Sequence, residues 1–188
     1  MQSSWSPGRT GGADVDDPDV RIRRLDEVDE ERLEGLATVL IDAIESGAGV
    51  SFLHPLAPEK ARGFWGGVAE DVAKGRRALL VAEDEHGVVG TVQLVLAQPE
   101  NQPHRADLSK MLVHRRGRRR GIGAALLTAV EQVARDCGKT LLVLDTNTGS
   151  DAERLYEREG WIRVGEIPDF SIQPRGGLRA TTLFYKRL

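Results

Sequence analysis

The sequence predicts a mixed α/β fold, in which helices pack against a single sheet. Its predicted elements follow the order β-α-α-β-β-β-α-β-α-β-β, with about seven strands and four helices. The strongest indication is the segment at 121–138, where apolar residues recur at helical spacing along one stripe. The nearly all-apolar segment at 140–146 is typical of a strand buried on both faces. Because helical and strand periods alternate along the chain, we expect one layer of helices on each side of the sheet.

The first half of the chain predicts a strand, two helices and a hairpin. Either Asp26 or Asp29 can cap the first helix, since a short acidic side chain accepts hydrogen bonds from the first free N–H groups. Pro58 suits the first turn of the second helix, where no N–H is needed. The predicted elements are a strand at 20–25, a helix ended by Gly47, a loop at 48–58, a helix ended near Gly75, and two strands joined by a turn at 85–87.

The second half predicts the most regular helix, between two strands, and a final pair of strands. Glycine ends each of its two helices, as expected for residues that adopt a left-handed conformation readily. A run rich in glycine and proline separates the last two strands and is predicted to be a loop. The predicted elements are a strand at 105–114, a helix at 121–138, a strand at 140–146, a helix from Asp151 to Glu159, and strands at 161–167 and 181–188 around a loop at 167–177.

Composition restricts the cellular setting and the class of protein. Residues 1–18 are rich in Gly, Ser, Pro and Asp and are expected to form a disordered tail, so that 19–188 form one domain. The tail has no apolar core typical of a secretory signal, and no stretch is apolar enough to span a membrane. The single cysteine, Cys137, permits neither an intramolecular disulfide nor a zinc cluster. We therefore expect a cytoplasmic protein without a metal or a membrane partner.

An arginine- and glycine-rich run at 115–127 lies between a predicted strand and the best predicted helix. The net charge of the chain is −3, so this run is a local positive island on a mildly acidic protein. Nucleic-acid binders usually carry a broad basic face, and stacking on single strands needs aromatic residues, which are absent from 115–120. The composition therefore favours a small anionic ligand and disfavours a nucleic-acid partner.

The glycines of this run predict how an anion would be held. The first N–H groups of a helix have no internal partner and lie at the positive end of its dipole. The N–H groups of residues 119–124 can converge on a diphosphate, with Gly121 and Gly123 at the tightest points. The run is neither a P-loop nor a dinucleotide fingerprint, since Leu126 occupies the third glycine position of the latter. Two other interpretations stay open: a merely tight turn, or a solvated charge run.

Two landmarks in the right order resemble the GNAT superfamily of N-acetyltransferases. The first is Arg118-x-x-Gly121-x-Gly123-Ala124, which matches the family's acetyl-CoA pyrophosphate loop. The second is the segment 155–161, Leu-Tyr-Glu-Arg-Glu-Gly-Trp. The order of elements also matches over about 20–188. The resemblance implies a mostly antiparallel sheet, acetyl-CoA as co-substrate, direct attack by a primary amine of a small molecule, and a homodimer, which is frequent in the family.

The resemblance also implies roles for individual residues. Tyr156 is expected beside the sulfur of acetyl-CoA as general acid. Backbone groups of the strand before the loop are expected beside the pantetheine and the carbonyl oxygen. No metal or protein nucleophile is needed for direct transfer. The residues expected to bind the co-substrate are Met111, Leu112, Val113, Arg118, Arg119, Arg120, Gly121, Ile122, Gly123 and Ala124.

The general base is harder to assign. Asp145 ends a predicted buried strand, where open sheets tend to place functional groups and where desolvation would raise the pKa of a carboxyl. His104 and Asp107 are rivals near the start of the preceding strand. In the loop between the first two helices, Phe52 and His54 are expected to line the acceptor pocket. Each of these side chains also has an ordinary structural interpretation, as a cap, a hydrogen-bonding partner or a loop plug.

A narrower resemblance, to the tabtoxin-resistance-type branch, is indicated by the segments 101–123 and 144–170. That branch acetylates an amino-acid toxin, so the resemblance implies a role in toxin or antibiotic resistance. One position departs from the family pattern. Many members have an asparagine seven residues before the tyrosine, where this chain has Gly149, and the nearest amide is Asn147.

Three functions therefore remain to be compared. The leading hypothesis is an acetyl-CoA-dependent N-acetyltransferase that acts on a small-molecule amine. The alternative is a non-catalytic acyl-CoA-binding sensor that keeps the loop and lacks turnover. A nucleic-acid binder is the third, and it predicts an affinity that falls steeply with salt.

Overall fold

The computed structural model describes residues 17–188, and its elements follow the predicted order. The predicted mixed sheet of seven strands with four helices is confirmed. The elements are β1 (Arg21–Leu25), α1 (Glu30–Glu45), α2 (Pro58–Ala73), β2 (Arg77–Asp84), β3 (Gly87–Val95), β4 (Arg105–Val113), a short 3₁₀ turn (Arg115–Gly117), α3 (Ile122–Asp136), β5 (Leu141–Asn147), α4 (Asp151–Arg158), β6 (Ile162–Ile172) and β7 (Leu178–Arg187).

The strands form one sheet in the order β1-β2-β3-β4-β5-β7-β6. Only β4 and β5 run parallel, and the other neighbours are antiparallel. Each face of the sheet has its own apolar core. One core joins the sheet to α3 and α4, and the other joins it to α1 and α2. Trp65 and Phe184 are among the largest fully buried side chains, one in each core.

The two parallel strands pair over only part of their length. Residues 105–107 of β4 pair with 141–143 of β5, and beyond them each strand keeps only its outer neighbour. At the same level β4 contains a bulge, because Lys110 and Met111 together stand opposite Val92. Lys110 has a φ of 51°, a left-handed conformation that is uncommon for a residue with a side chain. The sheet therefore opens at the C-terminal ends of β4 and β5.

Local sequence explains where the helices begin. Asp29 caps α1 by accepting a hydrogen bond from the N–H of Arg32 at 2.8 Å, which decides between the two predicted caps. Pro58 lies in the first turn of α2, as predicted. Ser150 caps α4 and accepts from the N–H of Glu153 at 3.1 Å. The carboxylate of Glu153 in turn accepts from the backbone N–H of Gly149, the residue before the cap, and these two bonds fix the turn that enters α4.

Two predictions about the second half of the chain are wrong in detail. The predicted loop at 167–177 is mostly strand, since β6 extends to Ile172 and β7 begins at Leu178. The prolines and glycines of this segment lie in a bulged edge strand and a tight turn, where such residues are tolerated. The prediction that β5 is buried on both faces is also wrong, because only Leu142 and Leu144 are buried.

Other predictions concern the N-terminus and membranes. The expected disordered tail lies almost entirely outside the described residues. Asp17, at its predicted end, forms an ion pair with Arg120 at 2.6 Å. Within 17–188, the helices are too short or too polar to traverse a bilayer.

Candidate active site

A cavity of about 780 Å³ lies where the sheet opens. The end of β4 forms one wall, the N-terminus of α3 the floor, and α4 the opposite wall. It is lined by residues from every segment that the sequence predicts to hold a co-substrate, namely Met111, Leu112, Val113, Arg118, Arg119, Gly121, Ile122, Gly123 and Ala124. The fold therefore brings these predicted residues to one place.

The floor of the cavity is a cradle of free backbone donors. Within 17–188, the N–H groups of residues 119–124 donate to no protein acceptor, and the first bond of α3 is from Ala125 to the carbonyl of Gly121 at 3.1 Å. Arg119 and Gly121 have left-handed φ angles of 64° and 75°, which turn successive N–H groups towards a common centre. This geometry, at the positive end of a helix dipole, is suited to a diphosphate.

Gly123 makes a close contact at the edge of this cradle. A Cβ built on Gly123 would lie 3.0 Å from Cδ2 of Leu155, a residue of α4 that also lines the cavity. A larger residue at 123 would therefore press on the α4 wall and narrow the space above the N–H groups.

The arginines of the loop divide into two groups. Arg118 and Arg119 line the cavity, and Arg118 also lies 3.5 Å from the carboxylate of Asp42. Arg115 is held by its backbone N–H and guanidinium to the buried carboxylate of Asp42, and Arg116 pairs with Asp84. These ion pairs fix the loop to α1 and β2 and neutralise part of its charge.

Arg120 lies with the second group, which differs from its predicted role. Its guanidinium pairs with Asp17 at 2.6 Å and lies 3.6 Å from Asp84, and the residue does not line the cavity. Two acids distant in sequence turn this side chain away, so only its backbone N–H faces the cradle. The sequence gives no signal for either partner.

The β4 wall offers a free backbone edge. Beyond residue 107, the edge of β4 that faces β5 pairs with no strand in the described part of the chain, residues 17–188. Met111 and Val113 are half-buried and line the cavity along this edge. Backbone amides and carbonyls there are available to an extended ligand such as a pantetheine arm.

Tyr156 lies in the core that joins the sheet to α3 and α4, next to the cavity-lining Leu155, and does not itself line the cavity. It is 4% exposed and packs against the rings of Trp161 and Phe184 at centroid distances of 5.7 and 6.0 Å. Burial raises the pKa of Tyr156 well above its ordinary value, and the nearby carboxylate of Asp145 raises it further. The phenol is therefore held in its protonated form.

Asp145 lies on the other face of the sheet, close to the gap between β4 and β5. On β5 its side chain points away from Leu142 and Leu144, which belong to the α3 core. It accepts a hydrogen bond from the hydroxyl of Thr181 at 3.1 Å. The residue is exposed, so the desolvation expected for a buried carboxylate is wrong at this position. Its position beside the gap agrees with the prediction, and its proposed role must depend on hydrogen bonding and proximity.

The two rivals for the base lie farther down β4. The carboxylate of Asp107 accepts from Arg105 at 2.6 Å and from the amide of Gln98 at 3.0 Å. His104 is exposed before β4, and its backbone carbonyl accepts from Thr140. Asp107 pairs in register with Val143, two residues before Asp145, so neither rival reaches the open end of the strands.

The loop between α1 and α2 covers this second face. The ring of Phe52 makes an edge contact with Phe64 of α2 at 5.3 Å. His54 donates its backbone N–H to the carbonyl of Pro174 in the β6–β7 turn at 2.9 Å. Phe52 therefore forms part of an aromatic wall, while His54 joins the loop to the hairpin.

Several cavity residues escaped prediction from the sequence. The α4 side of the cavity carries three arginines, Arg154, Arg158 and Arg179, which add positive charge opposite the cradle. Asn147 and Ser150 also line it. Gly149, the position that departs from the family pattern, has a φ of 76° and turns the chain between them. Arg154 and Arg158 lie beside the tyrosine motif in the sequence, whereas Arg179 comes from β7 and had no such signal.

Comparison with known proteins agrees with this geometry. Residues 75–163 match the model of the acetyltransferase (GNAT) domain family. An N-acetyltransferase encoded in the hisH–hisA intergenic region of Azospirillum brasilense is 32% identical over 129 residues, which is 68% of this chain and 75% of that protein. Human N-acetyltransferase 8 is 39% identical over 88 residues, which is 46% of this chain and 39% of that protein.

Solved structures show the same fold. The acetyltransferase yncA of Salmonella typhimurium, solved with acetyl-CoA, superimposes with a TM-score of 0.74 at 19% identity and covers 90% of this chain and 94% of that one. The bacterial relative matches over most of both sequences, and the splayed strands, the free N–H cradle and the family model coincide in one part of the chain. The chain belongs to the GNAT superfamily of N-acetyltransferases.

Proposed function

We propose that this protein transfers an acetyl group from acetyl-CoA to a primary amine of a small molecule. The observation that carries the proposal is the cradle of free N–H groups at 119–124, which opens into the gap between β4 and β5. The end of α1 also lines the cavity, which therefore reaches the face of the sheet where Asp145 and the aromatic wall lie. A co-substrate and an acceptor can therefore approach one point from opposite sides.

The cavity fits acetyl-CoA by its chemistry. The free N–H groups and the side chains of Arg118 and Arg119 suit a diphosphate, and the free edge of β4 suits the amides of pantetheine. Arg154, Arg158 and Arg179 supply charge for the remaining phosphate. A solved fold neighbour holds acetyl-CoA, which supports the same co-substrate here.

In the proposed reaction the neutral amine attacks the thioester carbonyl and forms the C–N bond, and the C–S bond breaks. The nitrogen loses one proton to solvent, and the thiolate takes up one proton, so that the products are the neutral amide and CoA thiol. Asp145 removes the proton from the acceptor ammonium, directly or through water, and Thr181 orients its carboxylate. Free backbone N–H groups of β4 near Met111 stabilise the charge that develops on the carbonyl oxygen. Tyr156 donates a proton to the sulfur.

The proposal is tested with a panel of amines and acetyl-CoA, with release of CoA followed by a thiol reagent. We expect turnover with at least one small amine, and binding of CoA by calorimetry. Asp145→Asn is expected to lower kcat/KM about 100-fold, the scale of one general base, without changing the Kd of acetyl-CoA. An unchanged kcat/KM in this variant would transfer the role of base to His104, Asp107 or water.

The alternative is a non-catalytic acyl-CoA sensor. The tight packing of Tyr156 among aromatic rings favours it, because a core position alone explains that packing. Tight CoA binding without turnover on the whole panel would support the sensor. If the protein neither releases CoA with any amine nor binds CoA, both functions are contradicted.

We also propose that the protein is a homodimer of the cytoplasm, formed through the β6–β7 hairpin. Of the seven most exposed large apolar residues between 17 and 188, six lie on this hairpin. Arg163 and Glu166 on the same strand pair with each other at 3.1 Å, so the exposed apolar side chains are the groups that a second copy related by a two-fold axis would bury. The lone cysteine and the use of a thioester suit a reducing compartment.

A further inference from the structure

Lys110 is a charged group that the proposed transfer does not use. It lies in the bulge of β4, and its left-handed backbone directs its side chain towards α2 and the α1–α2 loop. Its ammonium donates to the hydroxyl of Ser51 at 3.2 Å and lies 5.6 Å from the ring centre of Phe64. The neighbouring residue Met111 lines the co-substrate cavity, whereas Lys110 does not.

Within 17–188, this ammonium has no carboxylate partner. An ammonium offers three hydrogen-bond donors, and one hydroxyl at 3.2 Å leaves most of them for another group. Burial lowers the pKa of Lys110, and Arg77 lowers it further, whereas Asp145 raises it. The ammonium of Lys110 is thus held in a place where desolvation disfavours its charge. A buried charge is normally paired, so this one is suited to an anionic partner.

Lys110 and Asp145 face the same acceptor side of the gap. Asp145 raises the pKa of Lys110, but among residues 17–188 the two side chains do not form an ion pair with each other. The rings of Phe52 and Phe64 stand beside the lysine, and Thr181 stands beside the aspartate. This face of the sheet therefore carries a cation at Lys110 and an anion at Asp145, with aromatic rings beside the cation.

We propose that the acceptor is an amino acid or a related molecule that carries a carboxylate close to its reacting amine, and that Lys110 binds this carboxylate. The inference rests on the proposed acetyl transfer. A molecule with an ammonium at Asp145 and a carboxylate at Lys110 matches the charges of both side chains, whereas a simple alkylamine leaves the lysine unpaired. A single ammonium and one hydroxyl suit a monoanion better than a phosphate dianion, which needs more donors.

Matched pairs of acceptors test the inference on the wild-type protein. Each L-α-amino acid is compared with its own carboxamide, which keeps the amine and the side chain and loses only the negative charge. We expect kcat/KM to be at least about tenfold higher for the acids, as one charge-assisted hydrogen bond predicts. The carboxamides have the more easily deprotonated amine, so intrinsic reactivity predicts the opposite order. Equal or better use of the carboxamides would overturn the inference.

Variants then assign the preference to Lys110. Lys110→Met keeps the length of the side chain and is expected to raise KM for the acids at least tenfold and to remove the preference over the carboxamides. Lys110→Arg keeps the positive charge and is expected to keep most of the preference for the acids. Lys60→Met is the control, because Lys60 also lies near an aromatic ring, 5.8 Å from Phe52, but on the exposed side of α2. The Kd of acetyl-CoA should not change in any of them.

Failure of the inference and failure of the acetyl transfer give different results. If only amines without a carboxylate are acetylated, the protein is an acetyltransferase but the proposed role of Lys110 is overturned. The role would also be overturned if Lys110→Met lowers kcat/KM equally for acids and carboxamides and leaves the preference for acids intact. If no amine is acetylated, calorimetric binding of N-acetyl amino acids in the presence of CoA decides. Binding that Lys110→Met abolishes supports the inference, and binding unaffected by that variant, or none, contradicts it.

Discussion

Tyr156 combines a buried ring with a phenol that stays protonated. Because burial and the charge of Asp145 raise its pKa, the phenol keeps its proton at every pH below the ordinary value of about 10. We expect Tyr156→Phe to lower kcat about 100-fold, the scale of one general acid, without changing the Kd of acetyl-CoA. Steady-state kinetics and calorimetry measure both quantities. An unchanged kcat would show that Tyr156 serves only to pack the core.

Glu153 shows how a buried carboxylate stabilises the wall of the cavity. It accepts from the hydroxyl of Thr182 at 2.7 Å and from the backbone N–H of Gly149. Burial alone would raise its pKa, but these hydrogen bonds and the nearby Arg163 outweigh burial and lower it. We expect Glu153→Gln to reduce the free energy of unfolding by about 1–3 kcal/mol at pH 7, because the amide N–H₂ of glutamine would face a donor.

The pH dependence of this variant has a defined sign. A carboxyl with a lowered pKa in the folded state stabilises the protein above its unfolded pKa of about 4.3, and this contribution is lost as the pH falls through the folded value. The difference between wild type and Glu153→Gln should therefore shrink in acid. Urea unfolding at neutral and acidic pH measures it, with Glu157→Gln, exposed on the same helix, as the control. A constant difference across this range would contradict the assigned pKa direction.

Individual side chains were predicted where a motif specifies the backbone around them. Gly121 and Gly123 were identifiable because a tight strand-to-helix turn restricts which residues fit. Arg120 was not, since its partners Asp17 and Asp84 lie 103 and 36 residues away in the sequence. The exposure of Asp145 also escaped prediction, because an apolar strand at the edge of a gap has the same pattern as one buried on both faces.

At the scale of elements, α3 allows the cradle to be tested against a matched site. Gly121 at its start and Gly138 just after its end have φ angles of 75° and 70°, so alanine costs about 1–2 kcal/mol of stability at either position. We expect only Gly121→Ala to weaken acetyl-CoA binding, by at least tenfold, because its strain displaces the free N–H groups. Equal affinities in the two variants, measured by calorimetry, would contradict a backbone-held diphosphate.

Periodicity predicted the order of elements well, and the exceptions have a physical origin. Strong helical spacing made α1 and α3 recognisable, helped by the Asp29 cap of α1 and by Gly138 just after the end of α3. The length of β6 was underestimated because Pro168 and Asp169 signal a turn, although an edge strand with a bulge accepts both. The bulge at Lys110 gave no sequence signal, since lysine rarely adopts a left-handed conformation. This bulge is also what turns Lys110 towards the acceptor side.

At the scale of the whole molecule, the decisive feature is the partial pairing of β4 with β5. Two covered faces of one sheet become connected only because the strands stop pairing after residues 107 and 143. Sequence patterns describe which residues are apolar, but register between strands distant in sequence depends on the packing of all helices together. The resemblance to a family supplied the position of the cavity, and the structure adds the second, acceptor face.

The oligomeric state is also a property of the whole molecule, and the hairpin makes it testable. Val164 and Phe170 on β6 are 63% and 52% exposed, so replacing both by glutamate removes no core contact. We expect the wild type to sediment as a dimer of the 20.6 kDa chain and the double variant as a folded monomer, because two like charges per copy would oppose each other across the two-fold axis. Leu53→Glu, at a residue 55% exposed outside the hairpin, should leave the dimer intact. A monomeric wild type, or a double variant that stays dimeric, would contradict this interface.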